Sequence, residues 1–221
     1  MLQISKRVSA LSPSATLAML QKTNELKAAG VDVIGLTAGE PDFNTPDHIK
    51  DAAKKAIDEN YSRYTPVSGY LSLRKAICDK LQRENGLTFT PDQIVVGNGA
   101  KHELANVVLT MVNPGDEVII PTPAWVSYVE LVKLAEGVPV CVPALPENGL
   151  KLTAEQLEAA ITPRTRLMIL CTPSNPTGAV YTAEELEALA AVLVKHPDVT
   201  VLSDEIYEHI DRKSTRLNSS H

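Results

Sequence analysis

The chain has 221 residues, 44% apolar and 22% charged, with a formal net charge of −6 at neutral pH. That is enough apolar material for one large domain, or one and a part. The acidic balance, with no basic stripe, argues against nucleic acid as a partner. No apolar run reaches the roughly eighteen residues of a membrane span, and residues 1–10 lack the apolar core of a secretory leader. Cys78, Cys141 and Cys171 are odd in number and widely spaced, which fits free thiols in a reducing cytoplasm. None has a second cysteine or a histidine at metal-ligand spacing, so no metal site is expected.

Ser12-Pro-Ser-Ala-Thr16 opens a predicted helix running to about Ala29, stopped by Gly30. A short strand is predicted at 31–36, leading into a loop with Gly39 and Pro41. Thr45 and Pro46 then predict an N-cap and first-turn proline on a helix to about Asn60. A loop follows with Tyr61, Tyr64 and Tyr70 around Pro66 and Gly69. Residues 71–84 read helical, with Leu73, Ile77 and Leu81 on one face and Gly86 as the stop. Ile94-Val-Val96 is predicted as a strand, and Gly97-Asn-Gly-Ala-Lys101 opens a helix to about Val112.

Beyond the turn at 113–116, strands are predicted at 117–120, 138–142, about 166–170 and 199–202. Helices are predicted between them, from Trp125 to about 137, from Thr153 to Ile161 and from Thr182 to Lys195. Thr153 with Gln156, and Thr182 with Glu185, have capping-box spacing. Strand and helix alternate with short connections, which predicts a parallel sheet covered by helices on both faces. Ligands bind such sheets in loops at the carboxyl ends of strands. The loops so placed carry Gly39, the 97–101 segment, Trp125, Asn175 in C-T-P-S-N-P-T-G, and Asp204 in S-D-E-I-Y-E.

Each loop alone is an ordinary turn. Together, and in this order, A-G-E-P-D-F at 38–43, N-P-G-D-E-V at 113–118, P-S-N-P-T-G at 173–178 and S-D-E-I-Y at 203–207 form a specific set. They resemble the class I pyridoxal-phosphate-dependent aminotransferases of fold type I, nearest the bacterial aspartate aminotransferase branch. The likeness runs from about Val8 to His209. It implies a three-layer α/β/α fold with a mostly parallel sheet, the large domain of an aspartate aminotransferase-like transferase, incomplete here. On that basis 1–45 is expected to be an N-terminal arm and the start of the small domain. Residues 46–211 would be the N-terminal part of the large cofactor domain, and 212–221 a non-native tail.

The resemblance also implies roles. Gly99, Ala100 and Lys101 would seat the phosphate at a helix start, where free N–H groups and the dipole favour an anion. Trp125, the only tryptophan, would stack on the pyridine ring. Asp204 would keep the pyridine nitrogen protonated, since a pyridinium withdraws electrons from a carbanion. Asn175 and Tyr207 would meet the ring 3-oxygen. Tyr64 would reach the phosphate of a neighbouring subunit's cofactor, making the enzyme a homodimer. Gly39, Trp125 and Asn175 would contact the substrate, an L-amino acid or a 2-oxo acid.

Two departures from the family pattern stand out. Ser174 occupies a position where many relatives have asparagine. More severely, the family's lysine that bonds the cofactor lies beyond the D-E-I-Y element, and only Lys213 follows Glu208 here. The family's carboxylate-binding arginine comes later still. The chain is therefore expected to be cut near Ile210 or Asp211 and to be inactive alone. A carbon–sulfur lyase of the same fold and the aminotransferase-like domain of a transcription regulator are the alternative readings. No basic domain precedes the match, which disfavours the regulator.

Overall fold

The computed structural model describes residues 4–36, 39 and 43–210. The expected foreign tail at 212–221 lies outside them. Two units form: Met1–Ser12 with Ser68–His221, and Pro13–Val67.

The first unit is built on four parallel strands: β1 Glu117–Thr122, β2 Val138–Pro143, β3 Thr165–Cys171 and β4 Thr200–Asp204. Their order across the sheet is β2-β1-β3-β4. Successive side chains of a strand face opposite ways, and the central strands are apolar on both faces. Val118, Ile120, Leu167 and Ile169 pack with Leu104, Val108 and Val112 on one side, beneath helices α5 (Ala100–Met111) and α6 (Ser127–Leu134). Ile119, Met168 and Leu170 pack on the other side with Leu157, Leu189 and Val192, from α7 (Ala154–Ala160) and α8 (Ala183–Leu193). Ile119, Leu167 and Met168 are fully enclosed. Each such side chain contributes about 1.5–3 kcal/mol by leaving water. The result is the expected three-layer α/β/α arrangement.

Local signals set the helix starts on the second face. Gln156 N–H donates to Thr153 Oγ1 (3.3 Å) and Thr153 N–H to Gln156 Oε1 (3.0 Å). Glu185 N–H donates to Thr182 Oγ1 (3.3 Å), and Thr182 N–H to Glu185 Oε2 (2.7 Å). Both capping boxes are reciprocal, which satisfies N–H groups that a helix start otherwise leaves open.

Before the sheet, this unit carries α1 (Lys6–Ser9), held near α6 where Ser12 N–H donates to Glu130 Oε2 (2.8 Å). Helix α4 (Leu71–Lys80) runs into a π-helical turn, Leu81–Asn85, ended by Gly86 in the left-handed region (φ 73°). The second unit, described by itself, holds α2 (Ala15–Ala28), capped by the Ser14 hydroxyl, and α3 (Asp47–Asp58). Pro46, not Thr45, stands at the N-cap of α3, and no side chain caps it.

Two predicted strands are absent. At 94–96 the chain is extended and Ile94 is buried, but a single backbone bond, Val96 N–H to Ser68 O, replaces a ladder. At 31–36 the chain is also irregular, with Ile34 and Leu36 exposed. A strand is a paired object, and an apolar run without a neighbouring strand stays a loop.

Candidate active site

The order β2-β1-β3-β4 turns in opposite directions on either side of β1 and β3. A crevice therefore opens outside the carboxyl ends of those two strands, where open parallel sheets bind ligands. The loop after β1 holds Trp125, the loop after β3 holds Asn175, and β4 ends on Asp204. Their flanking prolines, Pro123, Pro173 and Pro176, follow cis peptide bonds.

Asp204 is buried, 9% exposed, although it is an acid. The Tyr128 hydroxyl donates to its Oδ2 at 2.6 Å, and Ile206 N–H donates to its Oδ1 at 3.2 Å. Both donors are neutral. Among the described residues, no ion pair involves Asp204. Burial, and then the bond to Asp204, push the Tyr128 hydroxyl far above the ordinary range, so it stays a proton donor. Register places Cys171 beside Asp204 across β3 and β4. Burial raises that thiol as well, keeping it neutral against the carboxylate.

Tyr128 also packs edge-on against Trp125, with ring centroids 5.6 Å apart. The Lys101 ammonium lies 4.8 Å from the Trp125 ring centroid, within cation–π reach. Lys101 sits in the first turn of α5, so the chain Lys101–Trp125–Tyr128–Asp204 is one continuous set of contacts. Beside it, Asn175 Nδ2 donates to the Tyr207 hydroxyl at 3.0 Å.

The start of α5 is shaped by two glycines. Gly99 is its N-cap, at φ 83°, a conformation other residues rarely take. At Gly97 a Cβ would fall 1.7 Å from Glu103 Oε1, so a side chain there would have to displace the Glu103 carboxylate. His102 Nδ1 accepts from Asn98 N–H at 3.0 Å and closes the loop from above. His102 N–H returns to Gly99 O, leaving the N–H groups of Ala100 and Lys101 at the open first turn.

The sequence-predicted residues thus divide. Gly99, Ala100, Lys101, Trp125, Asn175, Asp204 and Tyr207 all belong to the first unit, and side-chain contacts link several of them. Gly39 and Tyr64 belong to the second. Tyr64 is fully exposed, and nothing lies within 4 Å of a Cβ placed on Gly39. Tyr128 was missed as a site residue, while His102 lies exposed at the start of α5. A signal for Tyr128 exists: it lies three residues after Trp125, at the start of α6, where its N–H donates to Trp125 O.

The donor set suits a flat, cationic heteroaromatic ring carrying an oxyanion and a phosphate. Asp204 offers a buried carboxyl group, Asn175 and Tyr207 offer polar hydrogens, Trp125 offers a ring, and α5 offers its N-terminus. By chemistry, pyridoxal phosphate fits these residues.

Fold and crevice define a three-layer α/β/α ligand-binding unit with its site at the sheet switch point. The family model "Aminotransferase class I and II" matches residues 31–220, and the chain belongs to that family. It is 57% identical over 207 residues to an aspartate/prephenate aminotransferase of Cereibacter sphaeroides, covering 94% of this chain and 52% of that protein. Against an aspartate aminotransferase of Geobacillus stearothermophilus the identity is 56%, over 95% of this chain and 53% of the relative. The structure of a Thermus thermophilus aspartate aminotransferase with maleate superposes with a TM-score of 0.94 at 48% identity, covering 98% of this chain and 56% of that one. The fold is therefore aspartate aminotransferase-like. The chain spans about half the length of the curated relatives it matches.

Proposed function

We propose that the whole protein is a cytoplasmic, homodimeric pyridoxal-phosphate-dependent aminotransferase that moves an amino group from an aspartate-like L-amino acid to a 2-oxo acid. One observation carries the reading: a buried carboxylate, Asp204, which among the described residues accepts from the neutral Tyr128 hydroxyl and Ile206 N–H and joins no ion pair. A buried charge without a counter-charge is costly. A cationic ring nitrogen supplies the missing charge.

Bound pyridoxal phosphate supplies an electron sink for the carbon that gains or loses the amino group. The protein's own groups do the rest. Asp204 would hold a proton on the ring nitrogen, with Tyr128 aiming its carboxylate. Trp125 would stack on the ring. Asn175 and Tyr207 would donate toward the ring oxygen, and the first turn of α5 would seat the phosphate. By the family resemblance, Gly39 would meet the substrate carboxylate, as would Asn175, and Tyr64 would reach the cofactor phosphate of a partner subunit. The named functions of the relatives, and the maleate bound by one, favour a dicarboxylic substrate. The same names favour transamination over the lyase and regulator readings.

The 221-residue polypeptide offers no lysine at the family's cofactor-bonding position, and is inactive alone on this reading. The test compares it with the whole protein, each mixed with pyridoxal phosphate, reduced with borohydride and assayed with aspartate and 2-oxoglutarate. The whole protein is expected to fix one cofactor and to transaminate. The polypeptide alone is expected to do neither. A stoichiometric adduct on one lysine of the polypeptide, or a whole protein without transaminase activity, refutes the reading.

A further inference from the structure

A second polar network lies behind the site. The π-helical turn after α4 turns Asn85 inward, and it is 2% exposed. Asn85 Nδ2 donates to Glu208 Oε1 at 2.5 Å, and Lys80 Nζ donates to Glu208 Oε2 at 2.7 Å. Lys80 Nζ also donates to Asn85 Oδ1 at 3.0 Å, closing the triangle. Burial pushes the Glu208 carboxyl up, but the bonds from Lys80 and Asn85 outweigh it and hold the group below the usual carboxylate range. Glu84 lies 3.8 Å from Lys80, and the His209 ring lies 3.6 Å from Glu208 at the rim.

Placement gives this network its meaning. Glu208 directly follows Tyr207 in the short turn that leaves β4. Glu208 N–H donates to Glu205 O, and Ile210 N–H to Tyr207 O, both at 3.0 Å. Each oxygen of Glu208 is taken by a different donor, so its carboxylate is fixed in position and in plane. The chain is then held immediately after Tyr207, while the Tyr207 hydroxyl is held by Asn175. A buried polar network of this kind contributes little net stability compared with apolar residues of the same shape. What it does supply is one orientation, and π-helical turns often occur where function needs such an orientation.

We propose that Lys80, Asn85 and Glu208 form a clamp that positions Tyr207 toward the cofactor's ring oxygen. They are positioning residues, acting through Tyr207 and touching no ligand. The proposal rests on the cofactor reading above, and its test separates the two. Pyridoxamine phosphate is titrated into the whole protein, and its binding is followed by equilibrium dialysis. Asn85→Leu and Tyr207→Phe are each expected to weaken binding about tenfold, the value of one lost hydrogen bond. The double variant is expected to lose the same tenfold, not a hundredfold. Thermal unfolding of Asn85→Leu is expected to fall by several degrees, because Lys80 and Glu208 each lose a partner. Glu208→Gln keeps the side-chain shape, and is expected to lose several-fold if Asn85→Leu fails to fold.

Wild-type binding in Asn85→Leu and Glu208→Gln overturns the clamp and leaves the cofactor reading standing. So does an additive loss in the double variant. A whole wild-type protein that does not bind pyridoxamine phosphate overturns the cofactor reading, and the clamp with it.

Discussion

The two ends of the sheet solve the same problem in opposite ways. Each buries one carboxylate: Glu117 at the amino end of β1, 4% exposed, and Asp204 at the carboxyl end of β4, 9% exposed. At Glu117 the Thr162 hydroxyl donates to Oε2 at 2.6 Å, and the Arg164 guanidinium pairs with Oε1, its Nε at 2.9 Å. Those bonds, the Thr162 contact foremost, hold the Glu117 carboxyl below the usual value of 4.5. At Asp204 the donors among the described residues are a tyrosine hydroxyl and a backbone N–H. A buried acid with its own cation is complete and belongs to the scaffold. A buried acid with neutral donors has room for a cationic ligand as its partner.

The largest effect is expected from breaking the unpaired end. In the whole protein, Asp204→Ala should lower kcat/KM by roughly a hundredfold or more, the scale of losing one preorganised electrostatic partner. Circular dichroism should show the fold retained. Activity within a few-fold of wild type would remove Asp204 from the site.

The paired end should respond in stability instead. Arg164→Met leaves Glu117 buried with Thr162 alone, and should cost about 1–3 kcal/mol in urea unfolding. The estimate stays modest because Arg164 itself is largely exposed. The sign with pH is fixed by the direction of the shift. A carboxyl lowered in the folded state adds stability above its unfolded value, and loses it as pH falls through the folded one. Glu117 and Glu208 both lie below 4.5. Stability should therefore decline as pH drops below about 4.5, and less steeply in Glu117→Gln. An acid profile identical to wild type in that variant would break the contrast between the two ends.

The smallest effect sharpens the comparison at Asp204. Tyr128→Phe removes one neutral donor and leaves the acid in place. Activity of the whole protein should fall about tenfold, the value of one hydrogen bond to a charged group. The loss should appear in kcat more than in KM. A larger fall than Asp204→Ala would mean that Tyr128 acts on substrate directly.

Much of this was legible before the fold. The helix starts at Thr153 and Thr182 and the central strands were readable because capping and burial on both faces leave local patterns. The loop residues Trp125, Asn175 and Asp204 stood out because turn chemistry follows each strand. Residues 94–96 misled, since a strand depends on a neighbour that no local pattern reports. The site contacts obey the same limit. Tyr128 and Asp204 are 76 residues apart, and Asn85 and Glu208 are 123 apart. Composition, periodicity and capping determined the layers and the order of the elements. Which buried acid meets a cation and which meets only neutral donors was decided by tertiary structure, because strand order and register bring those side chains together.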